Sequence, residues 1–326
     1  MLMGIIQRPN LRVYFSRKHM LETPFFPNVT SEERFSLLTR FLHFVNNTNK
    51  EIAKRDPKLY KILPVSEYLK NKFQKVYIRG KDVSVDESLL LWKDRLSWKQ
   101  YIPMKASQFG IKIFELFDSA GYLWNFIIYS GSGIKLGCEI TKETYLFSTK
   151  VVLNYYTRAD VFYMDNFYSS PDLFQRLVQR TTDAVGTVSI TRKVMPVDLK
   201  KELKKGEVIS AKCGKLVALK WKDNRDVSVL TTKHSDEMQP VSRKGGLEFV
   251  NKPMCVIEYN KYMVGYCKAG NKKDHLLFRI NLVNKIIAKS HGQNLEKRKG
   301  RPSDTDMECT RLTGQHFIQE NPKTEI

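Results

Sequence analysis

The sequence predicts an α/β fold, a mixed sheet flanked by helices and interrupted by a β-rich insertion. Three observations carry this. Extended runs at 83–86, 110–117 and 123–129, the last two joined by the turn Asp118-Ser119-Ala120-Gly121, read as a strand followed by an antiparallel hairpin. A short apolar run at 159–165 ends in an acid, a helix follows at 171–177 and another short strand at 183–188, which is the alternation of an α/β sheet. From about 190 to 250 the texture changes to Lys-rich turns and short strands, such as Gly206-Glu207-Val208-Ile209, and is expected to form a separate β-rich lobe.

The elements ahead of the sheet are helical. Thr30-Ser31-Glu32-Glu33 resembles a capping box, and Phe35, Leu38, Leu42 and Val45 follow at helical spacing, so a helix is expected from Thr30 to about Asn47. A second is expected over 65–77, where Tyr68, Leu69 and Phe73 alternate with lysines. Beyond Gly292 the chain is polar, charged and Gly/Pro-containing and reads as a disordered tail.

Charge is the strongest clue to a partner. Lys and Arg number 55 against 34 Asp and Glu, a formal net charge of +21. Such an excess attracts polyanions by counterion release, which makes nucleic acid the natural partner; lysines that only solvate the surface are the plainer reading. The five cysteines are scattered, with no C-x-x-C, which fits neither a disulfide framework nor a zinc site. No apolar run reaches membrane-spanning length and no signal-like core opens the chain, so a soluble, unsecreted protein with no membrane partner is expected.

Two acids stand at strand positions: Asp86 in Val85-Asp86-Glu87-Ser88 and Asp165 in Tyr163-Met164-Asp165-Asn166. An acid on a buried strand carries a desolvation cost that a divalent metal can offset, and carboxylates from separate strands can converge on Mg²⁺, which takes oxygen ligands. Acids at strand ends also cap turns or pair with lysines, and the residues alone leave both readings open. Lys81, Lys93, Arg95, Lys99 and Lys105 surround the first acid, interleaved with Trp92, Trp98 and Tyr101. These suit phosphate contacts and base stacking, although core packing is the expected role of the aromatics.

Several stretches then agree in order with one family. Arg34-Phe35 to Phe41-Leu42-His43-Phe44, Val85-Asp86-Glu87-Ser88, Gln100-Tyr101-Ile102-Pro103-Met104-Lys105, Tyr163-Met164-Asp165-Asn166-Phe167-Tyr168, Leu219-Lys220-Trp221-Lys222-Asp223-Asn224-Arg225 and Tyr259-Asn260-Lys261-Tyr262-Met263 resemble the piggyBac transposase family, above all its derivatives retained as ordinary genes. The resemblance covers most of the chain. It implies an RNase H-like catalytic core, with Asp86 and Asp165 matching the first two aspartates of a three-aspartate Mg²⁺ site. DNA is the expected partner, with Lys93, Arg95, Lys99 and Lys105 as the expected contacts from their charge, and nuclear localisation and a homodimer are further expectations. The division expected is a helical part at 1–80, the core at 81–190, the insertion at 191–255, a remnant of the C-terminal core at 256–290 and the tail at 291–326.

The chain departs from this pattern where the third aspartate is expected. After Met263 the family continues Gly-Val-Asp, whereas here Val264-Gly265-Tyr266-Cys267-Lys268-Ala269-Gly270 follows, which puts Cys267 and Gly270 where acids are expected. A deletion after Gly265 accounts for this better than substitution, because Asn271-Lys272-Lys273 and 277–283 look like family sequence from further on. A thiolate suits Mg²⁺ poorly, and Glu258 is the nearest acid that could step in. Met1 stands at a point that looks internal to the family, and no Cys/His-rich end-reading module follows Phe317. The expected function is therefore an inactive, transposase-derived domain with nonspecific DNA binding and with weak or no Mg²⁺ at what remains of the site. An active transposase and a protein-interaction scaffold or gene-model fragment are the alternatives.

Overall fold

The computed structural model describes residues 2–46, 57–103, 105, 108–131, 134, 136, 144–156, 161–242, 249–269 and 272–291. The expected tail from 292 onward and Gly270 lie outside the described residues, as do the side chains of 264–269, Cys267 among them. Two compact units are present, one of residues 1–40 with 271–326 and one of residues 41–270.

The first unit contains α1 (Leu11–Tyr14), α2 (Phe25–Val29) and α3 (Glu32–Arg40). Tyr14 is its buried anchor. The hydroxyl donates to Ile6 O at 2.8 Å, and the ring meets Phe26 edge-on at 5.0 Å. The predicted helix from Thr30 to Asn47 is shorter than expected: Ser31 caps it by accepting from Arg34 N–H at 3.2 Å, and it ends at Arg40. Apolar spacing continued past the point where the backbone leaves the helix, since Phe41, Leu42 and Phe44 are exposed and gain no packing that would hold another turn.

The second unit is built on a sheet. Its helix α4 (Leu63–Val76) starts with Pro64 in the first turn and precedes β1 (Asp82–Leu91), β2 (Gln100–Tyr101), β3 (Phe109–Asp118) and β4 (Leu123–Ile128). Then come α5 (Phe147–Asn154), β5 (Val161–Met164), α6 (Pro171–Val178) and β6 (Asp183–Thr187). β1 runs antiparallel to β3, and β3 pairs with β4 as the expected hairpin. β5 lies parallel to β1 and to β6. This is the strand arrangement expected of the RNase H-like core.

Burial follows the two-residue alternation of strands. Val83, Val85, Phe162 and Met164 point to one face, where α5 and α6 supply Val151, Leu153, Leu173, Phe174 and Leu177. Val161, Tyr163 and Val185 point to the other, covered by α7 (Met254–Ala269) through Cys255, Val256 and Met263. Parallel strands need both faces covered, and here both are.

The β-rich segment corrects one expectation. It is β-rich, but β7 (Val208–Cys213), β8 (Leu216–Lys222) and β9 (Asp226–Thr231) are not a lobe apart, since β9 hydrogen-bonds β6 antiparallel and extends the same sheet to nine strands among the described residues. The reason is the edge of β6, whose backbone donors and acceptors need partners when α7 and α6 seal both faces. β10 (Met238–Ser242) and β11 (Phe249–Pro253) form their own two-stranded sheet before α7, and α8 (Lys272–His291) belongs to the first unit. No helix among the described residues is long and apolar enough to cross a membrane.

Candidate functional site

Asp86 and Asp165 come together. Val85 of β1 is the register partner of Met164 at the end of β5, so the next residue on each of these parallel strands is an acid. Asp86, Asp165 and Glu87 each offer a carboxylate oxygen within 4.8 Å of the others. Strand alternation points Glu87 away from Asp86, but the Glu87 N–H donates to Asp86 Oδ1 at 2.7 Å and folds that carboxylate back along the strand.

The Asp165 corner is built by local hydrogen bonds. Its Oδ1 accepts from Phe167 N–H at 3.0 Å, and its carbonyl accepts from Ser169 N–H at 3.1 Å and Ser169 Oγ at 2.9 Å. Ser170 then caps α6 by accepting from Leu173 N–H at 3.3 Å. Gly186 on β6 packs against this turn so closely that a Cβ there would lie 2.6 Å from Met164 O and would also collide with Ser169 Oγ.

Burial and mutual repulsion act on the clustered acids. Burial, then Glu87, then Asp86 push the Asp165 carboxyl up to about 6, against the smaller opposing pull of the Phe167 and Tyr168 backbone N–H groups. Glu115, the register partner of Asp86 on β3, is raised too, chiefly by burial and against a 2.8 Å hydrogen bond from Ser88 Oγ. Lys105 Nζ donates to the Glu87 carbonyl at 3.1 Å and stands 3.7 Å from its Oε1. Lys112 is held down by burial, with Glu87 and Asp165 opposing that, and its Nζ lies 4.5 Å from the Phe167 ring centroid. The Tyr168 hydroxyl donates to Glu87 Oε2 at 3.4 Å. Three converging carboxylate oxygens, one of them on a raised carboxyl, fit a hard divalent cation, the kind of group that lowers such a carboxyl.

Glu258 is elsewhere and is fully engaged. From α7 its Oε2 accepts from Tyr163 OH, Lys233 Nζ and His234 Nε2, all at 2.8 Å. Despite burial, these bonds bring its carboxyl down to about 2. It does not join the cluster of Asp86, Glu87 and Asp165. What α7 does bring near the acids is Tyr259, raised by burial first and then by Asp165 and Asp86, with its hydroxyl 3.4 Å from Thr187 Oγ1.

The four basic residues singled out in the sequence have different surroundings. Lys105 turns to Glu87. Lys93 and Arg95 are exposed beyond the end of β1, and Lys99 stands with its Nζ 5.3 Å from the Phe109 ring. Of the interleaved aromatics, Trp98 is core at 8% exposure, whereas Tyr101 is 57% exposed, against the expectation that these rings pack inside. Glu87 was within a family-like motif but not recognised as a site residue. Two adjacent acids on a strand with a second acid-ended strand nearby is the signal that could have found it.

A family model described as Transposase IS4 matches residues 1–283. The chain is similar to the human piggyBac transposable element-derived protein 3, 25% identical over 300 residues that cover 84% of this chain and 48% of that protein. It matches the human chimeric ERCC6-PGBD3 protein at the same identity and length, covering 27% of it. The chain thus spans about half or less of these relatives. A cryo-EM structure of a piggyBac transposase synaptic complex with hairpin DNA superposes with a TM-score of 0.66 at 23% identity, over 79% of this chain and 53% of that one, which is a likeness of fold.

Proposed function

The chain belongs to the piggyBac-type transposase family, and on that premise we propose that it is a transposase-derived domain that holds DNA and one divalent ion without cutting or joining strands. Asp86, Glu87 and Asp165 would hold the ion. A pair of bound ions supplies the charge neutralisation that phosphodiester exchange needs on both the attacking and the leaving oxygen. The observation that carries the inactive reading is on α7. That helix covers the sheet beside the acids, yet its sequence contains a single carboxylate, Glu258, and this one is held by Lys233, His234 and Tyr163. Among the described residues Asp86, Glu87 and Asp165 form one cluster of candidate ligands, which supports a single ion where the exchange reaction uses two.

DNA holding is supported by the +21 charge and by exposed Lys93 and Arg95 next to the sheet end. Duplex affinity should fall steeply with salt. For the inactive reading, the purified chain is incubated with piggyBac-type transposon ends and Mg²⁺ or Mn²⁺. No nicked or hairpinned product is expected, while a chimera that restores the family's Val-Asp and following helices after Gly265 serves as positive control. Metal-dependent cleavage by the unmodified chain that Asp86→Ala abolishes would overturn it.

A further inference from the structure

About 16 Å along β1 from Asp86, at ~3.3 Å per residue, the strand ends at Leu91 and the surface changes character. Tyr101 and Phe109 are register partners on β2 and β3, with ring centroids 4.6 Å apart and planes at 29°. They are 57% and 48% exposed, and Trp92, whose N–H donates to Phe109 O at 3.3 Å, is 38% exposed. Their neighbour Trp98 is buried, so these rings are not spare core residues. Gly110 keeps β1 and β3 close here, since a Cβ would collide with Leu90 O, and Phe109 therefore sits on a closely packed backbone. Lys99 lies over Phe109, while Lys93 and Arg95 are exposed and have no carboxylate partner among the described residues.

Stacked rings half open to solvent, with Lys99 over one of them and exposed Lys93 and Arg95 following Trp92 closely in the chain, complement a chain of phosphates bearing free base faces. A duplex hides its base faces in its own stack and meets such a surface only through phosphate. We propose that Trp92, Tyr101 and Phe109 form a stacking platform for unpaired DNA bases, with Lys93, Arg95 and Lys99 holding the adjacent phosphates. This rests on the DNA-holding reading and deepens it. Stacking of this kind is indifferent to sequence because every base has a π-face, so no base preference is needed.

The test uses the full chain with fluorescently labelled oligothymidine and a duplex of equal length, followed by anisotropy at low and raised salt. Tyr101→Leu and Phe109→Leu keep apolar volume and remove the ring. Each is expected to weaken oligothymidine binding roughly tenfold or more and leave duplex binding unchanged, whereas Lys93→Ala weakens both. Photocrosslinking of an iodouracil-substituted single strand to the unmodified chain does not depend on the variants folding, and its crosslinks are expected at Trp92, Tyr101 or Phe109. Crosslinks confined to other residues, or ring variants that lose both forms equally or neither, overturn the platform while duplex binding by the unmodified chain keeps the DNA-holding reading intact. No binding of either DNA form at low salt overturns both.

Discussion

Two carboxylate centres, one at the strand ends of the sheet and one on the helix α7 that covers it, have opposite environments. Glu258 receives a lysine, a histidine and a tyrosine hydroxyl, and its carboxyl falls to about 2. Asp165 lies against Glu87 and Asp86, and its carboxyl rises to about 6. A fold can neutralise a buried acid with its own side chains, as at Glu258. Where it gathers acids, as at Asp165 with Lys105 and the desolvated Lys112 nearby, like charge and burial raise a carboxyl that an added cation would bring down. The first centre is a structural clamp between α7 and the loop after β9, and the second is a cluster of like charge.

The largest expected effect breaks the second centre by its backbone. Gly186→Ala drives a Cβ into Met164 O and Ser169 Oγ and should destabilise the protein by about 3 kcal/mol, read by denaturant unfolding. An unchanged midpoint would mean the β5–β6 corner is looser than described.

Next is Glu258→Gln, expected to cost about 2 kcal/mol because Lys233 and His234 lose their charged acceptor. A carboxyl lowered from 4.5 to about 2 on folding contributes stability that is complete above pH 4.5 and lost as pH falls toward 2. The variant's deficit should therefore shrink across that window.

Asp165→Asn should have the opposite sign. The folded carboxyl binds its proton more tightly than the unfolded one, so ionisation penalises the native state as pH rises from 3.8 through about 6. The substitution is expected to stabilise the metal-free chain on the order of 2 kcal/mol at neutral pH and to give no gain below pH ~4. Thermal melting across pH checks it, and a loss of stability at pH 7 would deny that this corner is strained by charge. The smallest effect is Lys105→Ala. Its half-open pair with Glu87 contributes less than about 1 kcal/mol, so stability should hardly change while affinity for Mn²⁺ rises a few-fold as a competing cation is removed.

The sheet and two of its acids were legible because their signals are local. Short apolar runs ended by acids and a turn between alternating strands fix β1, β3, β4 and β5 with little help from distant residues. Glu87 was hidden by the same alternation that revealed its neighbours, since pattern alone sends it to the opposite face, and only the Glu87 N–H bond to Asp86 shows how the two carboxylates meet. Pairing of β9 with β6 and the clamp on Glu258 depend on residues far apart in sequence, which no local pattern reports. The exposure of Tyr101 and Phe109 escaped for a simpler reason, because a β-former next to a strand looks the same whether its ring is covered or open.

The central claim is that Asp86, Glu87 and Asp165 form a cation site and Glu258 does not, and calorimetric titration with Mn²⁺ tests it most directly. The account predicts one ion per chain, proton release near pH 6 as Asp165 is stripped of its proton, and a raised melting temperature. Glu87→Gln and Asp165→Asn should each weaken binding at least tenfold, with Glu258→Gln binding as the unmodified chain does. Absence of Mn²⁺ binding at millimolar concentration, or binding that Glu258→Gln abolishes and Glu87→Gln leaves untouched, would contradict it.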